Sequence, residues 1–468
     1  MRKIRVLFLY PNTASELRIP LGISILSSCL KNSGHETKLF DTTFMTPEYA
    51  KDDKLMAKSG FVKETDIDKY IGKIESKDIK TELLTLLKEY DPDLVAMSLV
   101  ERNYITGMKL LEYVKSAWDY PTLVGGIMPT LVPEMLIENK NVDMVCIGEG
   151  EKPIVELADR IAKGEPYEHV NNLWVKKSEN VIKNKLNPQT NLDKVPFQDW
   201  EIFDLKHLYK SFEGKVYVAG SFELSRGCMK HCSFCVAPQL RKCLATSGVP
   251  YFRRKSIKRA IAEMKYFKDR YKLEMISFTD PDFLTGMRRE TLMEFHDLYK
   301  EEVGLPFIIQ SGAETITEER VKVLKGMNCV TISVGVEHGN AEFRKKILKK
   351  VATDKQILNC FKYLKKYGLR ATANYMIGLP HETEKLVFDS IEFNKRLKPP
   401  SIAVTYFVPF LGTELYDMCV KEGFIKRFDP YADVYLESAL DMPQLSKKKI
   451  GELLKVFVDE HNKVASSV

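Results

Sequence analysis

Three thiols, Cys228, Cys232 and Cys235, lie within eight residues in the run Leu224-Ser225-Arg226-Gly227-Cys228-Met229-Lys230-His231-Cys232-Ser233-Phe234-Cys235. They follow the β-rich run Val216 to Glu223, which places them on a loop leaving a strand. Structural zinc takes four ligands, usually in two pairs, and a disulfide framework takes an even number in a secreted chain; three clustered thiols fit neither pattern. They suit an iron–sulfur cube better. A [4Fe–4S] cluster that only carries electrons is held by four cysteines. With three, one iron keeps a position for another ligand. The competing reading is a zinc knuckle completed by a distant fourth ligand such as His231 or Cys243.

The elements that must hold this loop follow from the rest of the chain. With 468 residues, 44% of them hydrophobic, the sequence can bury two or three cores. The net charge of +7 is spread widely, and the short clusters Arg253-Arg254-Lys255, Lys345-Lys346 and Lys349-Lys350 read as solvated faces rather than a nucleic-acid surface. Nine cysteines, an odd number with six of them scattered, point to a reducing compartment, so a cytoplasmic protein is expected. Met1-Arg2-Lys3 mimics the charged start of a signal peptide, but the following apolar run is short and broken by Arg5, which makes it a first strand. No apolar run approaches the roughly 18 residues of a membrane helix, so no integral membrane segment is expected.

In residues 1–165, buried-strand patterns at Ile4 to Tyr10, Thr37 to Phe40, Asp93 to Ser98, Thr122 to Gly126 and Val142 to Gly148 alternate with helical spacing, clearest at Ile105 to Trp118. A charged insertion between Asp41 and Asp91 carries helical spacing at Ile79 to Leu87. This alternation predicts an α/β, doubly wound, flavodoxin-like or Rossmann-like sheet with ligands beyond the carboxyl ends of its strands. Those ends carry Ser98, Gly125-Gly126 and Gly148-Glu149-Gly150. Glycine there admits close approach of a flat ligand, although tight turns alone would look the same. Residues 166–215 mix polar, proline and aromatic residues and read as a linker. In residues 216–428 the β/α alternation resumes, with strands at Met275 to Thr279, Pro306 to Gln310, Val330 to Val336 and Ala371 to Ile377, and predicts a partial or full parallel barrel. Residues 429–468 read as a C-terminal extension with a lysine-bearing helix from Ser446 to His461.

The C-x3-C-x2-C triplet with aromatic Phe234 resembles the signature of the radical S-adenosylmethionine (SAM) superfamily. The order Pro20-Leu21-Gly22, Gly34-His35-Glu36, Pro92 to Val95, Gly125 to Thr130 and Ile147 to Glu151 resembles the cobalamin-binding domain fused ahead of many such enzymes. The resemblance continues through Thr279-Asp280-Pro281-Asp282, Gln310-Ser311, Gly335-Val336-Glu337-His338-Gly339, Met376 to Pro380 and Pro409 to Tyr416. It implies Cys228, Cys232 and Cys235 as ligands of a [4Fe–4S] cluster. For SAM it implies contacts from Phe234, Asp280, Asp282, Gln310, Ser311, Glu337 and Ile377. For cobalamin it implies Ser98, Gly125, Gly126, Gly148, Glu149 and Gly150. Two departures stand out. The Asp-x-His-x-x-Gly motif that gives cobalt a lower histidine ligand is missing after the first strand, and His338 replaces the serine of the family's Gly-x-Glu-Ser-Gly pattern.

The function so implied is C-methylation of an unactivated carbon. The reduced cluster splits SAM to methionine and a 5′-deoxyadenosyl radical, that radical takes hydrogen from substrate, and the substrate carbon takes methyl from methylcobalamin. The substrate would be a small molecule, lipid or peptide, the electrons would come from an external donor such as ferredoxin or flavodoxin, and the pathway would be anaerobic. Cyclisation or rearrangement with the same cofactors, and RNA modification, are the alternatives. A methylthiotransferase is disfavoured, because such enzymes hold a second cluster through three cysteines of their first domain and this one has Cys29 and Cys146 alone. The residues give no catalytic acid or base and no oligomeric state.

Overall fold

The computed structural model describes residues 2–13, 17–45, 65–245 and 248–465; part of the insertion after Asp41 lies outside the described residues. They fall into two compact units, the first drawn from within 2–45, 66–210 and 239–251, the second from 211–238 and 252–465.

The first unit is built on β1 (Arg5–Tyr10), β2 (Glu36–Asp41), β3 (Leu94–Ser98), β4 (Thr122–Gly125) and β5 (Met144–Cys146). These strands are parallel in the order β2-β1-β3-β4-β5. That is the flavodoxin-like doubly wound order, and its strand order reverses between β1 and β3. Val6 to Leu9 and Leu94 to Met97 are buried throughout, as strands covered by helices on both faces must be. Helices Leu21–Asn32, Tyr104–Ala117 and Glu151–Lys163 follow β1, β3 and β5, and Ile79–Tyr90, capped by Asp78 through Lys80 N at 3.1 Å, precedes β3. The segment expected as a linker adds two antiparallel strands to this sheet, β6 (Leu173–Lys177) and β7 (Asn180–Lys183).

The second unit holds a seven-stranded sheet. Its strands are β8 (Tyr209–Phe212) and β9 (Lys215–Phe222), and, after a two-residue ribbon of β10 (Ser225–Arg226) with β11 (Arg253–Arg254), β12 (Met275–Phe278), β13 (Phe307–Gly312), β14 (Cys329–Glu337), β15 (Arg370–Ile377) and β16 (Ser401–Tyr406). From β9 to β16 neighbours are parallel and in sequence order, with helices between most of them. The two edges, β8 and β16, remain apart in the sheet order, so the barrel is partial. Alternate residues point to opposite faces of a strand. On β15, Ala371, Ala373, Tyr375 and Ile377 are buried while Thr372, Asn374 and Met376 are half-buried on the concave side. The helix Lys447–Ala465 packs on this layer, with Phe457 against Tyr375 at a ring distance of 5.0 Å. Among the described residues no helix is long and apolar enough to cross a membrane.

Candidate functional site

The cysteine loop leaves β9 and is fastened at both ends. Asp280, just beyond β12, accepts the backbone N–H groups of Leu224 at 3.0 Å and Ser225 at 2.7 Å as well as the Ser225 hydroxyl. Further along, Ser233 donates its N–H to the Leu348 carbonyl at 3.1 Å and its hydroxyl to the Ile347 carbonyl, and its own carbonyl accepts from Leu415 N at 3.1 Å. Cys228, Cys232 and Cys235 are free thiols lining one cavity of about 160 Å³. Lys230 N lies 3.5 Å from the Cys228 sulfur and Ala237 N the same distance from that of Cys235. Burial pushes the Cys232 thiol up to about 11 and raises Cys235 as well; Lys350 works in the opposite direction on both. A bound cation reverses such a preference by taking the thiolate outright.

The donor set fits a cluster. Cys228, Cys232 and Cys235 are three thiols around one cavity, and thiolates around a cube each meet a different iron.

Opposite the thiols, the cavity is walled by three strands: Gln310, Ser311 and Gly312 of β13, Ser333, Gly335 and Glu337 of β14, and Asn374 of β15. Phe234 and Pro281 also line it. Of the residues expected at SAM, Phe234, Gln310, Ser311 and Glu337 therefore share one cavity with the three cysteines. Asp280, Asp282 and Ile377 do not line it, and each for a readable reason. Both oxygens of Asp280 are taken by the loop, and burial pushes its carboxyl up to about 6. Asp282 accepts from the Ser311 hydroxyl and pairs with Lys230 at 2.6 Å, so it acts at one remove from the cavity. Ile377 sits on the convex face of β15, where strand alternation puts odd-numbered residues.

Two lysines in the cavity wall escape a reading of the sequence. Lys230, inside the cysteine loop, lies 2.6 Å from both Asp282 and Glu314. Burial opposes its charge, but the two carboxylates outweigh it and hold the ammonium above its ordinary value. Lys350, expected on a solvated basic face, is 7% exposed and pairs with Glu337 at 3.1 Å. Lys255 corrects the same expectation, being buried against Glu263 at 2.9 Å. Glu337 leaves β14 with φ of 69°, a left-handed conformation that a glutamate adopts under tertiary constraint. Gly335 makes room for this pair, since a Cβ there would stand 2.2 Å from Glu337 Oε1 and 2.9 Å from Lys350 Nζ.

In the first unit the expected residues lie along the carboxyl edge of the sheet, with Ser98 and Gly125 directly paired in register. Gly126 has φ of 117°, and a Cβ on it would lie 2.7 Å from the Leu99 carbonyl, so this tight turn by itself demands glycine. The Thr130 hydroxyl donates to Gly126 O at 2.7 Å and accepts from Gly148 N at 2.9 Å. The Leu244 side chain lies over Gly148. Glu149 accepts from Thr190 N at 2.7 Å, and Gly150 precedes the helix Glu151–Lys163. His35 spends both ring nitrogens inside the unit, Nδ1 on Ile4 N at 3.3 Å and Nε2 on Asp159 at 3.1 Å.

Comparison with known proteins places both halves. The radical SAM superfamily matches at residues 222–393 and the B12 binding domain at residues 12–158. An uncharacterized methyltransferase of Pyrococcus horikoshii is 23% identical over 97% of this chain and 92% of its own length. The cytidylyl-2-hydroxyethylphosphonate methyltransferase of Streptomyces wedmorensis is 22% identical over 95% of this chain and 86% of its own. The fold is shared with the radical SAM methyltransferase TsrM of Kitasatospora setae, solved with cobalamin and a [4Fe–4S] cluster, at a TM-score of 0.66 and 17% identity over 98% of this chain and 81% of that one. The chain thus carries a match to the B12 binding domain followed by a match to the radical SAM superfamily, in the order these relatives share.

Proposed function

We propose that this enzyme is a cobalamin-dependent radical SAM C-methyltransferase that methylates an unactivated carbon. The observation that carries this reading is the order of the two domains together with three free thiols and a lysine–glutamate pair around one cavity. Relatives named as methyltransferases that align over nearly the whole chain support it.

In this reading Cys228, Cys232 and Cys235 hold the cluster, and Phe234, Gln310, Ser311 and Glu337 hold SAM, with Lys350 and Asn374 added by their place in the cavity. When bound, cluster and SAM together supply a carbon radical and cobalamin supplies the methyl group, chemistry that side chains cannot provide. The chain's own part is positional. Asp280 and Ser233 fix the cysteine loop, and the pair of Lys350 with Glu337 brings one positive and one negative group to the cavity, a combination suited to an amino-acid zwitterion. Ser98, Gly125, Gly126, Gly148, Glu149 and Gly150 are the cobalamin edge of the first unit. We propose residues 1–165 as the cobalamin-binding domain, 166–215 as its link to the radical SAM core at 216–428, and 429–468 as an extension. The substrate is a small molecule, lipid or peptide, and a ferredoxin or flavodoxin supplies electrons.

The test is anaerobic reconstitution with iron, sulfide and hydroxocobalamin, followed by incubation with SAM labelled in its methyl group and candidate substrates. Product carrying the label together with 5′-deoxyadenosine supports the reading. Formation of 5′-deoxyadenosine with cyclised or rearranged product and no label would sink methyl transfer.

A further inference from the structure

Gln189 follows Pro188 in the first unit. Its side chain is buried, with 9% of the residue exposed, and neither its Oε1 nor its Nε2 has a hydrogen-bond partner. A buried primary amide with both halves unpaired is costly to keep, because donor and acceptor have each given up water. It lies in a slot whose other walls include Glu149, Lys152, Asn172 and Leu244.

Those neighbours are already engaged. Glu149 Oε2 accepts from Thr190 N at 2.7 Å. Asn172 donates to the Ile147 carbonyl and accepts from Asn187 N, both at 2.7 Å. Lys152 Nζ lies 3.4 Å from the Pro188 carbonyl. The slot measures about 10 Å³, the room of one water molecule, so what enters it is the tip of a group whose remainder lies outside. A second primary carboxamide matches such a tip, since it meets Oε1 with an N–H and Nε2 with a carbonyl oxygen, whichever way the Gln189 amide is turned.

We propose that Gln189 receives a primary carboxamide through paired hydrogen bonds. This rests on the cofactor reading above, which supplies the source: the corrin ring carries carboxamide arms on its rim, and Glu149 of the candidate cobalamin edge forms one wall of the slot. The linker segment is thereby part of the corrinoid site.

Equilibrium binding tests this without turnover. Full-length, cluster-reconstituted protein and its Q189L variant are titrated anaerobically with hydroxocobalamin, and with the isomeric hydrolysis products in which a single carboxamide has become a carboxylate. The expected result is about tenfold weaker binding of hydroxocobalamin to Q189L, the effect of losing an amide pair. One hydrolysed isomer should lose a similar factor on the wild type and nothing further on Q189L. If Q189L binds within twofold of wild type, or all isomers bind wild type alike, the slot holds water and the proposal is overturned. Should Q189L fail to fold, the isomer series on wild type decides alone. Wild-type protein that takes up no hydroxocobalamin at all would overturn the cofactor reading itself, and this inference with it.

Discussion

His338 Nε2 lies 3.2 Å from Glu382 Oε1, and neither side chain is more than 1% exposed. The other Glu382 oxygen accepts from Gly378 N at 2.6 Å and Leu379 N at 3.2 Å, while His338 Nδ1 accepts from Asn340 N at 3.0 Å and the ring stacks on Phe343 at 4.3 Å. The acceptor role of Nδ1 leaves the ring proton to Nε2, facing the carboxylate. The histidine that departs from the family pattern thus ties the turn after β14, which carries Glu337, to the turn after β15.

His338→Ala takes the ring away from one oxygen of a buried carboxylate and leaves a cavity beside Phe343, and a loss of about 3 kcal/mol in unfolding free energy is expected. Urea denaturation measures it. H338A together with E382Q should recover part of the loss, because a neutral amide leaves no buried charge at the vacated site. A single variant within about 0.5 kcal/mol of wild type would show that the pair contributes nothing.

Each of Cys228→Ala, Cys232→Ala and Cys235→Ala should lower reconstituted iron far below the roughly four atoms per chain of a cubane cluster. Cys146→Ala, which removes a buried thiol of the first unit, should leave iron content unchanged. Iron analysis and electron paramagnetic resonance of reduced protein distinguish these outcomes. Equal iron in all four variants would refute the ligand assignment.

Lys350→Met leaves Glu337 without the cation 3.1 Å away, and Gly335→Ala drives a methyl group into the same pair. Both variants should weaken SAM binding about tenfold or more, as loss of a charge-assisted contact does, with iron content retained. Equilibrium dialysis with SAM provides the measurement. Unchanged affinity in both would place SAM away from this wall.

Asp280 is pushed up to about 6 by burial, against 3.8 for an ordinary aspartate. Between these values the folded chain keeps a proton that the unfolded chain has released, so stability falls as pH rises from about 4 to about 6, by roughly 3 kcal/mol in all. Asp280→Asn should flatten that part of the profile while costing a constant amount, since its amide nitrogen faces a backbone N–H. Parallel profiles for variant and wild type across this window would contradict the assignment.

Much of the architecture could be read from the chain because parallel strands buried on both faces leave long apolar runs, as at Val6 to Leu9 and Leu94 to Met97. The cysteine loop was legible for another reason: its chemistry needs three identical residues close in sequence. What escaped depends on partners distant in the chain. Lys350 is adjacent to Lys349 and looks like it, yet Lys349 is half-exposed beside Glu414 whereas Lys350 meets Glu337 in the cavity. Lys230 finds Asp282 and Glu314 only after β9, β12 and β13 are side by side. Ile377 and Asn374 share a strand, and one step of register decided which of them faces the cavity. β16 was overlooked because Ser401 to Tyr406 mixes small and polar residues on its concave side.

Among the described residues beyond 66, the backbone passes from one unit to the other at 210–211, back at 238–239, and out again at 251–252. A gene cut at codon 210 would therefore yield an amputated first half in which Gly148 has lost the leucine that shelters it. Neither half is a contiguous cassette. Exchanging one for a foreign counterpart would take a splice at each of these crossings.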